Sequence, residues 1–197
     1  MILADADIRT HSLFLEAEEL YRRVRRPGSG EVVDAAELSA SPDRKRVVFA
    51  GSVNEELVGA PVTRTCSLNI ETGALEILSS GPRTDRLPKY SPDGKHIAFL
   101  SDRSREGNFQ LYFLSAENGV LSVAPEIDGW IEYLHWSPDG SKILLGVAGH
   151  GADISGGQGA ITSKPAPSGR PSWTPALDCG REDHRWRRAW VYDLRTN

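Results

Sequence analysis

The sequence predicts an all-β fold, because a Ser-Pro-Asp turn recurs three times and a short apolar run of strand length follows each copy. The turns begin at Ser41, Ser91 and Ser137, so the repeat is about 46 to 50 residues long. Ser-Pro-Asp-Gly suits a type I turn, since Ser bonds the backbone, Pro presets the second φ, and Asp and Gly suit the last two positions. Arg44 replaces Gly in the first copy, and we expect a type I turn to tolerate it.

Each turn is followed by apolar, β-branched or aromatic residues that we expect to form blade strands buried on both faces. These runs are residues 47–49, 97–100 and 143–145. A second strand in each of the first two units ends in a tight turn, at Gly73 and at Gly119. Short strands at 74–78 and 120–124 complete those units. Each repeat therefore offers about four strands, which is the size of one propeller blade.

The repeat divides the chain into an N-terminal helical segment, residues 1–30, and a partial β-propeller, residues 31–197. The blades are expected at about residues 31–80, 81–129 and 130–197. The last unit stops where the other two open their final hairpin, which predicts two and a half to three blades. Closed propellers carry about four to eight blades. We therefore expect the chain to be a fragment, or one part of a complex that supplies the missing blades.

An amphipathic helix is predicted from Ser12 to Arg26, where Pro27 to Gly30 end it. Its apolar stripe consists of Leu13, Ala17, Leu20 and Val24, with Phe14 and Tyr21 beside it. We expect this stripe to pack against the chain itself, with a neighbouring domain as the alternative. The basic cluster from Arg22 to Arg26 suits the negative end of a helix dipole. A nucleic-acid contact through this cluster is a weaker hypothesis, because the net charge of the chain is −4.

The third unit carries an insertion at residues 149–185 that is rich in Gly, Pro and Ser. Long loops inside compact domains tend to be functional or disordered, so we expect this insertion to contact a substrate or partner. Its glycines match neither a phosphate loop nor a dinucleotide fingerprint. Cys179, Asp183, His184 and His150 match no standard zinc spacing. We therefore expect no cofactor and no metal.

The strand after the insertion is expected to place Trp186, Trp190 and Tyr192 on one face, with its arginines pointing outward. No G-x-S-x-G nucleophile elbow occurs in the sequence, and we assign no catalytic residue. The aspartates Asp43, Asp93 and Asp139 recur because the turn recurs, so we interpret them as structural.

The composition, with 39% hydrophobic and 25% charged residues, is ordinary for a soluble globular protein. The longest apolar runs fall far below the about 20 residues that cross a bilayer. Two aspartates near the N-terminus occupy the place where a signal peptide would be apolar. Cys66 and Cys179 lack any CxxC spacing, which favours reduced thiols. We therefore expect a cytoplasmic protein that binds neither membrane nor nucleic acid.

Two segments resemble a known blade signature: YSPDGKHIAFLSDR at residues 90–103 and HWSPDGSKILLGVAG at residues 135–149. They look like the blades of TolB-type propellers and of the N-terminal propeller in the prolyl oligopeptidase family of serine peptidases. The resemblance covers about residues 30–197. The Trp-Pro-bearing insertion, residues 173–175, leads into WRRAWVYDL and resembles the acylaminoacyl-peptidase and dipeptidyl-peptidase-like branch.

In that family the propeller does no bond chemistry but covers an α/β-hydrolase domain that holds a Ser-Asp-His triad. The resemblance implies that this chain gates and positions peptides, or small amide and ester substrates, for such a domain in the same polypeptide or a companion chain. The alternative is a non-enzymatic TolB-like scaffold that binds a protein partner. The fold alone does not distinguish them, because the same blade serves enzymes and binding proteins.

Overall fold

The computed structural model describes residues 7–24, 32–53, 61–81, 83–149 and 186–196. These residues form a 3₁₀ turn at Ile8–Thr10, helix α1 at Ser12–Val24, and three antiparallel sheets that follow one another along the chain. The predicted partial β-propeller is therefore confirmed.

Each sheet is one blade, and its strands are hydrogen-bonded in the order in which they occur along the chain. Blade 1 contains β1 (Val32–Ala40), β2 (Arg46–Val53), β3 (Val62–Asn69) and β4 (Leu75–Ile77). Blade 2 contains β5 (Asp85–Tyr90), β6 (His96–Ser101), β7 (Gln110–Ser115) and β8 (Leu121–Val123). Blade 3 contains, within the described residues, β9 (Trp130–Trp136), β10 (Lys142–Ala148) and β11 (Arg187–Asp193). In the part of the chain that the structure describes, blade 3 thus has three strands where the other two blades have four.

The Ser-Pro-Asp turn joins the first two strands of every blade. In blade 2 the Gly94 N–H donates to the Ser91 carbonyl at 2.9 Å, which closes the turn. The Ser91 hydroxyl donates to Asp93 Oδ1 at 2.6 Å and accepts from the His96 N–H at 3.0 Å. The same bonds recur in the turns of blades 1 and 3.

The fourth residue of each turn is left-handed, with φ of +72° at Gly94, +70° at Gly140 and +61° at Arg44. Arg44 closes its turn with the same bond as the glycines, from its N–H to the Ser41 carbonyl at 2.9 Å, so the turn tolerates arginine as expected. An L-residue in this conformation has its Cβ close to the following carbonyl oxygen, which costs about 1–2 kcal/mol.

The interface between blades 2 and 3 is an apolar core. Its most buried members are Ala98, Leu100, Leu134, Ile143, Leu145 and Val147. Phe113 completes it, with its ring 6.1 Å from the ring of Trp136 and 5.8 Å from that of Tyr192. Burial of such aliphatic and aromatic side chains stabilises the folded chain by about 1.5–3 kcal/mol each.

The interface between blades 1 and 2 has a smaller apolar cluster, formed by Val48, Ile97, Phe99, Tyr112 and Leu114. Polar bonds supplement it. The Thr63 hydroxyl donates to the Asp85 carbonyl at 2.7 Å, and Ser39 Oγ accepts from the Tyr90 N–H at 3.3 Å. The interfaces on the two sides of blade 2 therefore differ in chemistry, although the three blades are repeats of one fold.

Helix α1 does not bury the stripe that the sequence predicts. Leu13 and Leu20 are 66% and 57% exposed, whereas Phe14, Glu18 and Tyr21 are half-buried. The apolar residues of the helix that are half-buried are thus the two that the sequence places beside the stripe. No helix among the described residues is long and apolar enough to cross a bilayer.

Candidate interaction surface

One face of blade 3 points away from blade 2. Ile143, Leu145 and Val147 of β10 are buried against blade 2, so the alternate residues of the strand point to the opposite side. Cross-strand pairing brings Leu144 beside His135 and Val191, and Gly146 beside Tyr133 and Ala189. We call these six residues the open face.

The open face is exposed although the matching face of blade 2 is covered. Leu144 and Val191 are 41% and 62% exposed. Ala98 and Phe113 form the equivalent pair in blade 2 and are 0% and 8% exposed, because blade 3 packs on them. The predicted burial of both strand faces therefore holds for β6 and is wrong for β10, whose outer side lacks a neighbouring sheet within the described residues.

Tyr133 makes the open face flat. Its ring lies directly over Gly146, where a Cβ would be only 2.0 Å from Tyr133 Cε1. Glycine is therefore needed at this position so that the tyrosine can lie against the sheet. The rings of Tyr133 and His135 are 6.2 Å apart, and an ion pair between Arg187 and Glu132 at 3.1 Å lies at the edge. An apolar centre with a charged rim is typical of a protein interaction site.

The opposite face of β11 carries the aromatic residues that the sequence groups together. Trp186 and Tyr192 pack against the core between blades 2 and 3, while Trp190 is 41% exposed. The prediction that the arginines point away from them is correct for Arg187 and wrong for Arg188. The Arg188 guanidinium lies 5.0 Å from the centre of the Trp186 ring, a cation–π contact that keeps both side chains on one face.

A buried ionic cluster joins blades 1 and 2, and it was not predicted from the sequence. Asp85 is 1% exposed and accepts from Arg103 Nη2 at 2.9 Å and from the Ser79 hydroxyl. The Arg103 guanidinium also lies 5.3 Å and 5.0 Å from the rings of Phe99 and Tyr112. The sequence feature that could have indicated this cluster is the charged pair Asp102-Arg103, which follows an apolar strand directly.

A second buried arginine strengthens this cluster. Arg64 is 1% exposed and donates to the carbonyls of Gly81, at 2.5 Å, and of Arg83. Asp102 accepts from the backbone N–H groups of Thr84 at 2.8 Å and Gly107 at 2.9 Å. Because these charges bond each other and the backbone, we interpret the cluster as structural rather than catalytic.

No protein-family model matches the chain. Its sequence is 29% identical over 124 residues to the uncharacterized peptidase YuxL of Bacillus subtilis, across 62% of this chain and 19% of that protein. It is 27% identical over 148 residues to dipeptidyl-peptidase 5 of Porphyromonas gingivalis, across 72% of this chain and 21% of that protein. The chain thus spans about a fifth of the length of the curated relatives it matches.

Two solved structures share the fold. An acylaminoacyl peptidase superimposes with a TM-score of 0.53 at 15% identity, across 83% of this chain and 24% of that one. A protein described as a putative TolB from Agrobacterium tumefaciens gives 0.52 at 24% identity, across 59% and 39%. The solved structures show a propeller fold, and the curated relatives are proteins named as peptidases.

In this propeller domain the repeat aspartates serve the turns. Serine hydroxyl and backbone N–H groups donate to the carboxylates, which lowers the pKa of Asp43 and Asp93 and brings that of Asp139 to about 2. Cys66 is buried, forms no disulfide within the described residues, and has its thiol pKa raised to about 11 by burial. A thiol with such a pKa is unreactive at neutral pH.

The insertion that the sequence singles out lies outside the described residues from residue 150 onward. The same holds for Cys179, Asp183, His184 and His150. The expected contact between the insertion and a substrate or partner therefore stays a prediction. The open face was not predicted, because strand exposure depends on the neighbouring sheet rather than on the strand's own sequence.

Proposed function

We propose that this propeller domain gates and positions peptide-like substrates for a separate α/β-hydrolase domain of a serine peptidase of the prolyl oligopeptidase family. That catalytic domain belongs either to the same polypeptide or to a companion chain. The named peptidases among the sequence relatives support this assignment, and each is about five times longer than the matched region. The proposal includes the cytoplasmic location expected from the N-terminal sequence.

The open face is the observation that carries the proposal. Its equivalent in blade 2 is buried by a following sheet, so the same geometry in blade 3 suits a further blade. The sequence of 197 residues contains no G-x-S-x-G elbow, so this chain would act by shaping access rather than by bond cleavage. The rest of the protein would supply both the further blades and the nucleophile.

The test is fluorophosphonate labelling of the protein purified from its own cells through an affinity tag on this chain. We expect a labelled serine hydrolase, either as a longer polypeptide containing the chain or as a separate chain that co-purifies. The chain expressed alone in another host should remain unlabelled. Native material without any labelled hydrolase would contradict the proposal and favour the TolB-like scaffold.

A matched pair of variants tests the open face itself. Val191→Glu places a charge on the open face at a position that is 62% exposed. Val123→Glu makes the same change on β8, away from that face, at a position that is 60% exposed. We expect Val191→Glu to impair assembly with the remaining blades and reduce labelling, while Val123→Glu leaves both unchanged. Equal labelling of the two variants would show that the open face is not used.

A further inference from the structure

A cleft of about 410 Å³ lies between blades 1 and 2, beside their Ser-Pro-Asp turns. Its volume falls within the range of small-molecule sites. The apolar wall is formed by Leu78, Tyr90, Ile97 and Leu114, and Ser67 lies at its inner side.

The cleft exists because one position of the repeat differs between blades. Ser67 pairs with Val48 in blade 1, and Phe113 pairs with Ala98 in blade 2. Val48 and Ala98 lie at the same distance along the chain from their turn serines, so Ser67 and Phe113 are equivalent. A serine therefore stands in the first interface where a phenylalanine ring fills the second.

The neighbouring positions enlarge this difference. Trp136 and Tyr90 are equivalent, because each directly precedes the turn serine of its blade. Tyr192 and Leu114 are also equivalent, because they pair with corresponding isoleucines of β10 and β6. In the second interface Phe113 packs between Trp136 and Tyr192, with ring centres 6.1 Å and 5.8 Å apart. The first interface has smaller side chains at all three positions, which leaves space for about one aromatic ring.

The rim of the cleft is negatively charged. It carries the carboxylates of Asp43, Glu76 and Asp93 and one cation, Arg46. Arg46 is already paired with Glu76, with 3.4 Å between Nη1 and Oε2. Hydrogen bonds from the turn serines lower the pKa of Asp43 and Asp93, so both are ionised at neutral pH. Among the residues that line the cleft, three carboxylates thus face one arginine, while Lys45 and Lys95 lie near Asp43 and Asp93 outside the lining.

The inner side of the cleft offers a hydroxyl group. Ser67 is 1% exposed, and its Oγ makes no hydrogen bond of ordinary geometry within the described residues. It lies close enough to the Tyr90 phenol to offset part of the rise in pKa that burial causes there. A buried hydroxyl without a well-formed bond is unusual and leaves a polar group available to a ligand.

We propose that this cleft is a binding site for a small amphipathic cation, namely a primary amine that carries one aromatic or branched aliphatic group. The apolar group takes the place that Phe113 occupies in the next interface. The ammonium group lies at the rim beside Asp43 and Asp93. No part of this site belongs to the open face.

The test measures binding of benzylamine to the 197-residue chain by isothermal titration calorimetry, with benzyl alcohol and benzoate as neutral and anionic probes of similar size. We expect benzylamine to bind at least tenfold more tightly than benzoate, with benzyl alcohol between them. Benzoate binding as tightly as benzylamine would overturn the assignment of a cation site.

The variant Ser67→Phe reproduces the second interface and should reduce benzylamine affinity at least tenfold. Its matched control is Ser122→Phe, which adds the same ring at an exposed position of β8. If Ser67→Phe does not fold, as judged by circular dichroism, Tyr90→Trp replaces it, since it copies Trp136 and narrows the same space. Undiminished benzylamine binding in a folded cleft variant would refute the proposal whether or not the chain belongs to a peptidase.

Discussion

Glu37 of blade 1 binds the backbone of Leu87 in blade 2, with 2.6 Å between Glu37 Oε2 and the Leu87 nitrogen. Its other oxygen accepts from Arg86 Nη2 at 3.2 Å. Both Glu37 and Leu87 have left-handed φ, +59° and +50°, and lie where the register of β1 and of β5 shifts. The side chain at the bulge of β1 therefore accepts a hydrogen bond from the backbone at the bulge of β5, the first strand of the next blade.

Glu37→Ala should lower the free energy of unfolding by about 1–3 kcal/mol, because it leaves the Leu87 N–H without its acceptor. Glu37→Gln retains a side-chain acceptor and should lose less, and both variants keep the same backbone strain. Urea denaturation measures the difference. Glu76→Ala is the control, since the pair between Arg46 and Glu76 is exposed and worth only about 0–1 kcal/mol. Equal losses for Glu37→Ala and Glu76→Ala would contradict the assigned role.

Arg44→Gly should stabilise the chain by up to about 1 kcal/mol. The strain of an arginine at φ +61° is relieved, and the greater unfolded-state entropy of glycine offsets part of the gain. Gly94→Ala, at φ +72°, should destabilise the chain through the same backbone strain. Steric overlap does not contribute, because the new Cβ would lie at an ordinary 3.4 Å from Pro42 Cδ. Thermal unfolding of the two variants should shift in opposite directions, and a lower midpoint for Arg44→Gly would count against the strain argument.

The local chemistry of the repeat could be predicted from sequence, whereas the contacts between blades could not. A Ser-Pro-Asp-Gly turn uses residues within a short stretch of chain, so Ser91, Asp93 and Gly94 indicate it directly. The bond from Leu87 to Glu37 joins residues 50 positions apart and depends on two bulges. Bulges and side-chain register emerge only when the sheets pack.

The two surfaces of functional interest show the same limit. Ser67 and Phe113 are equivalent only after β3 and β7 are aligned through their pairing with Val48 and Ala98. The exposure of Leu144 follows from what lies beside blade 3, while its apolar character alone predicted burial. A difference between equivalent positions of two blades indicates a functional surface only once the geometry of the repeat is known.

Ser137→Ala should reduce the part of the free energy of unfolding that the chain loses as the pH falls. The Ser137 hydroxyl is the main cause of the lowered pKa of Asp139, about 2 against an ordinary 3.8, and Ser141 adds to it. A carboxyl with a lowered folded-state pKa stabilises the fold above its unfolded pKa and loses this contribution as the pH falls through the folded value. The stability difference between the parent chain and Ser137→Ala should therefore narrow as the pH falls from about 4 to about 2.

Chemical denaturation across this pH range measures the narrowing, and the carboxyl carbon shift of Asp139 reports its pKa by NMR. Ser122→Ala, at an exposed position of β8, is the control and should show no such trend. A difference that is constant with pH would mean that the Ser137 hydroxyl acts only through its bond with the Lys142 N–H, at 2.9 Å.

The pair between Asp85 and Arg103 should behave as a coupled unit rather than as two independent contacts. Asp85→Ala leaves the Arg103 guanidinium largely buried without its carboxylate, so we expect a loss of about 3–5 kcal/mol. Arg103→Met keeps an apolar side chain against Phe99 and Tyr112 but leaves Asp85 with the Ser79 hydroxyl. The double variant removes both charges and should lose less than the sum of the single variants, by about 0.5–3 kcal/mol. Additive losses in urea denaturation would show that Arg103 stabilises the chain through its contacts with the Ser101 hydroxyl and with the two rings rather than through its charge.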